Sequence, residues 1–265
     1  MSFLEAFIFG LVQGLTEFLP VSSSAHMKLA KLFFNLETSE SGIVFDLVCH
    51  LGTLIALLYF LRKEILQILR SDRKKLVLLF VAMLPLVPCY FLLKPVRDYV
   101  SHPQFLGLCL ILTALILFSG QKLRIRRQQS ATIKRRYGDV LWIGAMQSAA
   151  LIPGISRSAS TISCAKVLGW DPKEAVRFSF LLSIPTIIGG NCFELLKIYL
   201  SHETLASVSL HACAVGFIAS LGAGLLIIRF ALSYLEKGNL KPFAWYCLGI
   251  GAFVTAYVNF SQRGI

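Results

Sequence analysis

The segment QGLTEFLPVSSSAH, residues 13 to 26, does not fit an ordinary membrane-spanning helix. It sets a carboxylate (Glu17), three consecutive serines (Ser22 to Ser24) and a histidine (His26) in and just after an apolar run from Phe3 to Val21. Pro20 interrupts that run, and a proline removes a backbone donor and clashes with the preceding turn. Irregular backbone at membrane depth is tolerated only where protein or a water-filled cavity covers it. The segment is therefore expected to be a re-entrant helix pair whose polar break faces the interior.

The composition agrees with a membrane setting. Of 265 residues, 56% are hydrophobic and only 15% charged, and the mean hydropathy is +0.70. Such values mark an all-α polytopic membrane protein rather than a soluble domain. A cleaved signal peptide is not expected, since Glu5 is the first charge and Gln13 and Glu17 break the first apolar run. Seven cysteines lie scattered in apolar segments without a CxxC spacing, so neither a zinc site nor a disulfide framework is indicated.

Six apolar segments are long enough, or nearly so, to cross a bilayer: Ile43 to Leu61, Leu76 to Leu93, Phe105 to Gly120, Phe178 to Leu200, Val208 to Ile228 and Phe243 to Phe260. A second broken stretch, Val140 to Leu168, contains Pro153 and Gly154 and is expected to form another re-entrant pair. The loops 62–75 and 122–136 carry six and seven Lys/Arg, against two in 94–104, so the positive-inside bias makes the first two cytoplasmic. Following the chain places 171–177 and 229–241 on the same side, which gathers 18 of the 26 basic residues there and turns both termini outward. The net charge of +12 is thereby accounted for by topology, and no nucleic-acid partner is expected.

Residues 10 to 25, GLVQGLTEFLPVSSSA, echo residues 144 to 159, GAMQSAALIPGISRSA. FDLVCHLGTLI (45 to 55) then matches FSFLLSIPTII (178 to 188) after a one-residue slip. The pattern predicts one integral membrane domain over 1–265, with a first repeat at about 1–121, a basic cytoplasmic loop at 122–136 and a second repeat at about 138–260. Each copy holds a re-entrant pair and three spans. Three is odd, so the second copy enters from the other face, and an inverted-topology repeat of this kind brings its broken segments together near the midplane.

Glu17, His26 and the serines are then expected to meet PGISRSAST, residues 153 to 161. Intramembrane charges are costly and usually mark a functional interior, and the Arg157 guanidinium is a planar fork suited to phosphate oxygens. Gly154, Ile155 and Ser156 sit where a helix restarts, with backbone N–H groups expected free for an anion, and Ser158, Ser160 and Thr161 add hydroxyls. Glu17 can hold a hard divalent cation, His26 can exchange a proton, and a serine or water can attack phosphorus. The set describes a phosphate-ester or diphosphate site opening to the bilayer.

These motifs resemble those of the undecaprenyl-diphosphate phosphatases associated with bacitracin resistance. QGLTEFLPVSSSAH is similar to that family's first motif and PGISRSAST to its second, and the similarity runs over essentially the whole chain. The resemblance implies hydrolysis of undecaprenyl diphosphate to the monophosphate and inorganic phosphate, recycling the carrier lipid for cell-wall synthesis. It implies a Mg²⁺ or Ca²⁺ requirement and a site on a multi-pass protein of the bacterial inner membrane, open to the outer face. It assigns Glu17 to the metal or the reacting phosphate, His26 to the acid/base step, Ser23 (or Ser22) to nucleophilic attack and Arg157 to the diphosphate. Gln13 stands where some members have Glu; it can ligate or hydrogen-bond but cannot act as a base.

A transporter or flippase of a polyprenyl phosphate is the competing expectation, since broken helices in inverted repeats are also a transporter architecture. A membrane phosphatase of the Ser-Arg-x5-His type is excluded, because Ser156-Arg157 would require His where Ser163 stands. Asp46 and His50, one turn apart, are expected to flank the entrance or to pair with each other. The small residues Gly216, Ser220, Gly222 and Gly224 pack helices within one chain or between two, the latter a homodimer.

Overall fold

A computed structural model describes residues 1–34, 40–123, 137–200 and 209–263. Most of the basic 122–136 loop lies outside the described residues. The described residues form helices and no strand. In chain order these are α1 (Phe3–Thr16), α2 (Ser23–Phe33), α3 (Glu40–Ser71), α4 (Arg73–Met83), α5 (Leu86–Leu92), α6 (Lys94–Val100), α7 (Leu106–Lys122), α8 (Tyr137–Ser148), α9 (Arg157–Val167), α10 (Pro172–Leu200), α11 (Leu210–Leu235) and α12 (Lys241–Arg263).

Five helical segments are long and apolar enough to cross a membrane: Gly42–Ser71, Arg73–Leu92, Pro103–Lys122, Pro172–Leu200 and Leu210–Leu235. The sixth expected span, Phe243 to Phe260, falls within α12, which is helical over 23 residues but is not among these five. The outer surface is apolar, with Leu226 79% and Ile218 67% exposed. Apolar surface on this scale calls for lipid rather than water.

Both polar stretches interrupt their helices as expected. A capping box at Ser2 and Glu5 starts α1, which stops at Thr16 ahead of Pro20. The chain re-enters helix at Ser23 through Ser22, the one non-glycine residue at positive φ (71°) among those described. In the second stretch α8 ends at Ser148, and the chain turns through Gly154 at φ 100° before α9 starts at Arg157, capped by the Ser156 hydroxyl. A left-handed φ at a non-glycine residue costs about 1–3 kcal/mol and persists only where the surroundings enforce it.

Small residues seat α1 against α11. A Cβ added to Gly14 would lie 2.6 Å from the Ala223 Cβ and 2.7 Å from the Ser220 carbonyl oxygen. Gly216 and Gly224 are filled by Phe45, Phe18 and Ala56, whereas Gly222 faces open space. The small-residue stripe of α11 therefore packs mainly within this chain. A second close crossing joins α7 to α12 through Gly107 and Gly251. One large core runs from Phe18 in the first break through Leu57 and Leu61 to Trp170, Phe178 and Leu235.

The basic segments collect at one end. Glu64 holds Lys75 at 2.5 Å and lies 3.6 Å from Arg177, which bonds Glu236 at 2.9 Å. Lys166 reaches the Gly238 carbonyl at 2.5 Å, and the Leu240 N–H donates to Gln121 at the end of α7. Residues 62–75, 171–177 and 229–241, expected on one side of the membrane, thus touch one another.

Candidate active site

The break after α1 and the break before α9 meet inside the bundle. Glu17 caps the end of α1, and its side chain is 6% exposed. Its Oε1 accepts from Arg157 Nη2 at 2.9 Å. Its Oε2 accepts from the Ser23 hydroxyl at 2.8 Å and from Gln13 Nε2 at 2.9 Å. Gln13, one turn before Glu17 on α1, is brought to it by the helical repeat itself. Removing one partner of such a buried pair costs about 3–5 kcal/mol, because a desolvated charge is left behind.

Gln13 has a second neighbour: its Nε2 lies 2.8 Å from Nδ1 of His50 on α3. An amide nitrogen only donates, so Nδ1 must accept and this ring carries its proton on Nε2. His50 also stands 3.6 Å from Glu17 Oε2. Asp46 and His50 do not pair with each other: Asp46 takes Lys31 at 2.6 Å, while His50 turns to the carboxylate cluster.

His26 is partly buried on the first turn of α2. Its Nδ1 lies 2.8 Å from the Ser22 carbonyl, which can only accept, so Nδ1 carries the proton and Nε2 is the free basic nitrogen. Nε2 lies 2.9 Å from the hydroxyl of Tyr246 on α12. The left-handed Ser22 thus serves two ends, aiming its carbonyl at His26 and launching α2 so that Ser23 faces Glu17.

The second motif departs from expectation in one respect. The N–H groups of Gly154, Ile155 and Ser156 are not free: they donate to Ser24 Oγ, the Ile152 carbonyl and Thr113 Oγ1 respectively. The turn closes on itself and on α7. The unpartnered donors lie one step on, where the N–H groups of Arg157 and Ser158 open α9 and have no hydrogen-bond partner among the described residues. Ser158 donates its hydroxyl to the Leu19 carbonyl, Ser160 to the Ser156 carbonyl, and Thr161 shares a 2.6 Å hydrogen bond with Ser179. The Ser158 bond joins the two breaks, Ser160 closes the start of α9 on itself, and Thr161 ties α9 to α10. Ser22 likewise spends its hydroxyl on Ser24, at 3.2 Å.

Glu17, Gln13, Ser23 and Arg157 therefore form one connected cluster, with His26 three residues beyond Ser23 on the same helix. His50 of α3, expected at the entrance, joins the cluster through Gln13, and Tyr246 and Thr113 are additions from α12 and α7. No local spacing ties those two to the motifs, so only tertiary structure reveals them. Among the described residues no group of three or more His, Cys, Asp and Glu side chains is arranged to hold a metal ion. A lone carboxylate fits the way Mg²⁺ is commonly bound, with one or two protein carboxylates and the remaining ligands from substrate phosphates and water.

A family model described as bacitracin resistance protein BacA matches residues 6–253. The chain is 40% identical to an undecaprenyl-diphosphatase of Protochlamydia amoebophila over 258 residues, 97% of this chain and 99% of that one. It is 37% identical to an undecaprenyl-diphosphatase of Carboxydothermus hydrogenoformans, covering 96% of this chain and 97% of the relative. With an undecaprenyl-diphosphatase of Rubrobacter xylanophilus it shares 33% identity over 97% of this chain and 98% of the other.

Proposed function

The chain belongs to the bacitracin resistance protein family, and from that premise we propose that it hydrolyses undecaprenyl diphosphate to undecaprenyl phosphate and inorganic phosphate. In this role it recycles the carrier lipid of cell-wall synthesis and confers bacitracin resistance. The observation that carries the chemistry is the 2.9 Å pair between Glu17 and Arg157, which joins the two polar breaks into one site.

One guanidinium nitrogen of Arg157 is engaged by Glu17, and the rest of the fork, with the N–H groups that open α9, supplies donors for the diphosphate oxygens. The attacking oxygen, from Ser23 or from water, forms a new bond to the terminal phosphorus as the bond to the bridging oxygen breaks. The electron pair leaves with that oxygen on the lipid monophosphate, and the attacking oxygen's proton goes to Nε2 of His26; where Ser23 attacks, a water then attacks the phosphoserine phosphorus, the bond to the Ser23 oxygen breaks, that oxygen regains a proton from His26 and inorganic phosphate leaves. Glu17 holds the Ser23 hydroxyl and, with the diphosphate, is the residue that would hold a Mg²⁺ or Ca²⁺ ion. When bound, such an ion neutralises developing charge on the phosphate oxygens. Gln13 fixes the Glu17 carboxylate and is itself held by His50, and Ser22, Gly154, Ser156, Ser158 and Thr161 shape the walls.

The architecture we assign is an inverted-topology repeat of six transmembrane helices and two re-entrant pairs in the bacterial inner membrane. Matching helices in the two halves support it: Gln13 on α1 meets His50 on α3, and its counterpart Gln147 on α8 meets Thr186 on α10 at 3.3 Å, one turn beyond Ser183, the counterpart of His50. His50 lies ten residues into α3, about 15 Å from its start and about 30 Å from its basic end. We assign the opening of the site to the outer face, the side opposite that basic end. A homodimer is compatible with this arrangement but not needed to complete the site. The transporter reading is not favoured. Phosphate release from undecaprenyl diphosphate by the purified protein tests the proposal, and lipid binding without release would overturn it.

A further inference from the structure

We infer that Tyr246 of α12 is a positioning residue for the reaction, holding the basic nitrogen of His26 and following its change of protonation. The inference rests on the reading of His26 as the acid/base group. The Ser22 carbonyl claims Nδ1 at 2.8 Å, so Nε2 is the nitrogen left to accept a proton, and the Tyr246 hydroxyl is the side-chain group the structure sets against it, at 2.9 Å. The two rings lie within 9° of parallel with centroids 5.7 Å apart, which fixes the imidazole plane as well as its edge. A phenolic hydroxyl both donates and accepts. Facing neutral His26 it donates to the single Nε2 lone pair and swings off it as the attacking oxygen delivers its proton there; facing the imidazolium the rotated hydroxyl accepts from the Nε2 proton, so one residue meets both ends of the step.

The contact also ties catalysis to the position of α12. Tyr246 is 45% exposed and its neighbour Trp245 62%, so this edge of the site meets the bilayer, where a lipid head must arrive. Tyr246 reaches His26 across 220 residues of sequence, whereas the other hydrogen bond to the His26 ring among the described residues comes from its own helix turn. Without the hydroxyl the imidazole keeps its tautomer and loses its aim. The expected signature is a loss in turnover rather than in lipid affinity.

The test is a kinetic cycle on the full-length protein in detergent, with phosphate release from undecaprenyl diphosphate measured for wild type, Tyr246→Phe, His26→Ala and the double variant. Tyr246→Phe keeps the ring and removes only the hydroxyl. It is expected to lower kcat about tenfold with KM within about twofold, and to have no further effect in the His26→Ala background. Wild-type kcat for Tyr246→Phe beside an impaired His26→Ala overturns this inference alone. An equal loss from Tyr246→Phe in both backgrounds also overturns it, because the tyrosine would then act apart from His26. A wild-type rate for His26→Ala overturns the acid/base reading on which it rests.

Discussion

Glu17 and Arg157, 140 residues apart in sequence, meet side chain to side chain at 2.9 Å in the interior of the bundle. Neither charge is affordable alone at that depth. The pair is a junction between two helix breaks, and each break places its charge because a proline or glycine stops a helix there. Everything else in the site is arranged around the carboxylate: Gln13 and Ser23 fill one oxygen and Arg157 the other.

Gln13 is expected to matter as a bridge. It donates both to Glu17 and to His50, so Gln13→Leu leaves a buried carboxylate short of a donor and an imidazole nitrogen bare. The lost hydrogen bond to the Glu17 carboxylate alone is worth about 1.5–3 kcal/mol. Turnover in phosphate-release assays should fall by tenfold or more, and Gln13→Asn should not restore it, since the shorter amide cannot span both partners.

Helix seating is expected to control the site from a distance. Gly14 lies three residues before Glu17 and packs directly on α11. A Gly14→Leu side chain has nowhere to go without moving α1, and overpacking of this kind costs about 1–3 kcal/mol. Thermal unfolding should shift down and activity should fall, whereas Gly222→Ala, with nothing within 4 Å, should change neither.

The donor set makes a prediction about metal. With one carboxylate in the cluster, the ligand-free protein should show no tight Mg²⁺ or Ca²⁺ binding by calorimetry. Phosphate release should nevertheless stop in excess chelator and return on adding either cation. A high-affinity site in the absence of lipid would contradict the assignment of Glu17 as the sole protein carboxylate.

Much of this was legible in the sequence, for physical reasons that can be named. Pro20 and the Pro153-Gly154 pair announced the breaks, and the cost of burying Glu17 and Arg157 announced that they would converge. Less legible was how the second turn satisfies its own backbone. Gly154, Ile155 and Ser156 were expected to offer free N–H groups, yet Thr113 from α7 and Ser24 from α2 take two of them. Contacts such as His50 to Gln13 and Tyr246 to His26 depend on how helices distant in sequence pack, and no local pattern encodes that.

Orientation has its own test. Residues 62–75, 171–177 and 229–241 meet at one end through Glu64, Arg177 and Glu236, and the positive-inside bias assigns that end to the cytoplasm. A tag inserted in the 122–136 loop should resist external protease in intact cells, and ready cleavage there would reverse the assignment.

The central claim is that one site, built where Glu17 meets Arg157, performs the hydrolysis. Its most direct test is phosphate release from undecaprenyl diphosphate by purified Glu17→Ala, Arg157→Ala and the double variant, each checked for folding. The account predicts that each single variant loses about a hundredfold or more, and that the double variant is little worse than either, as expected for groups that act as a unit. Folded single variants that retain near-normal rates would contradict it.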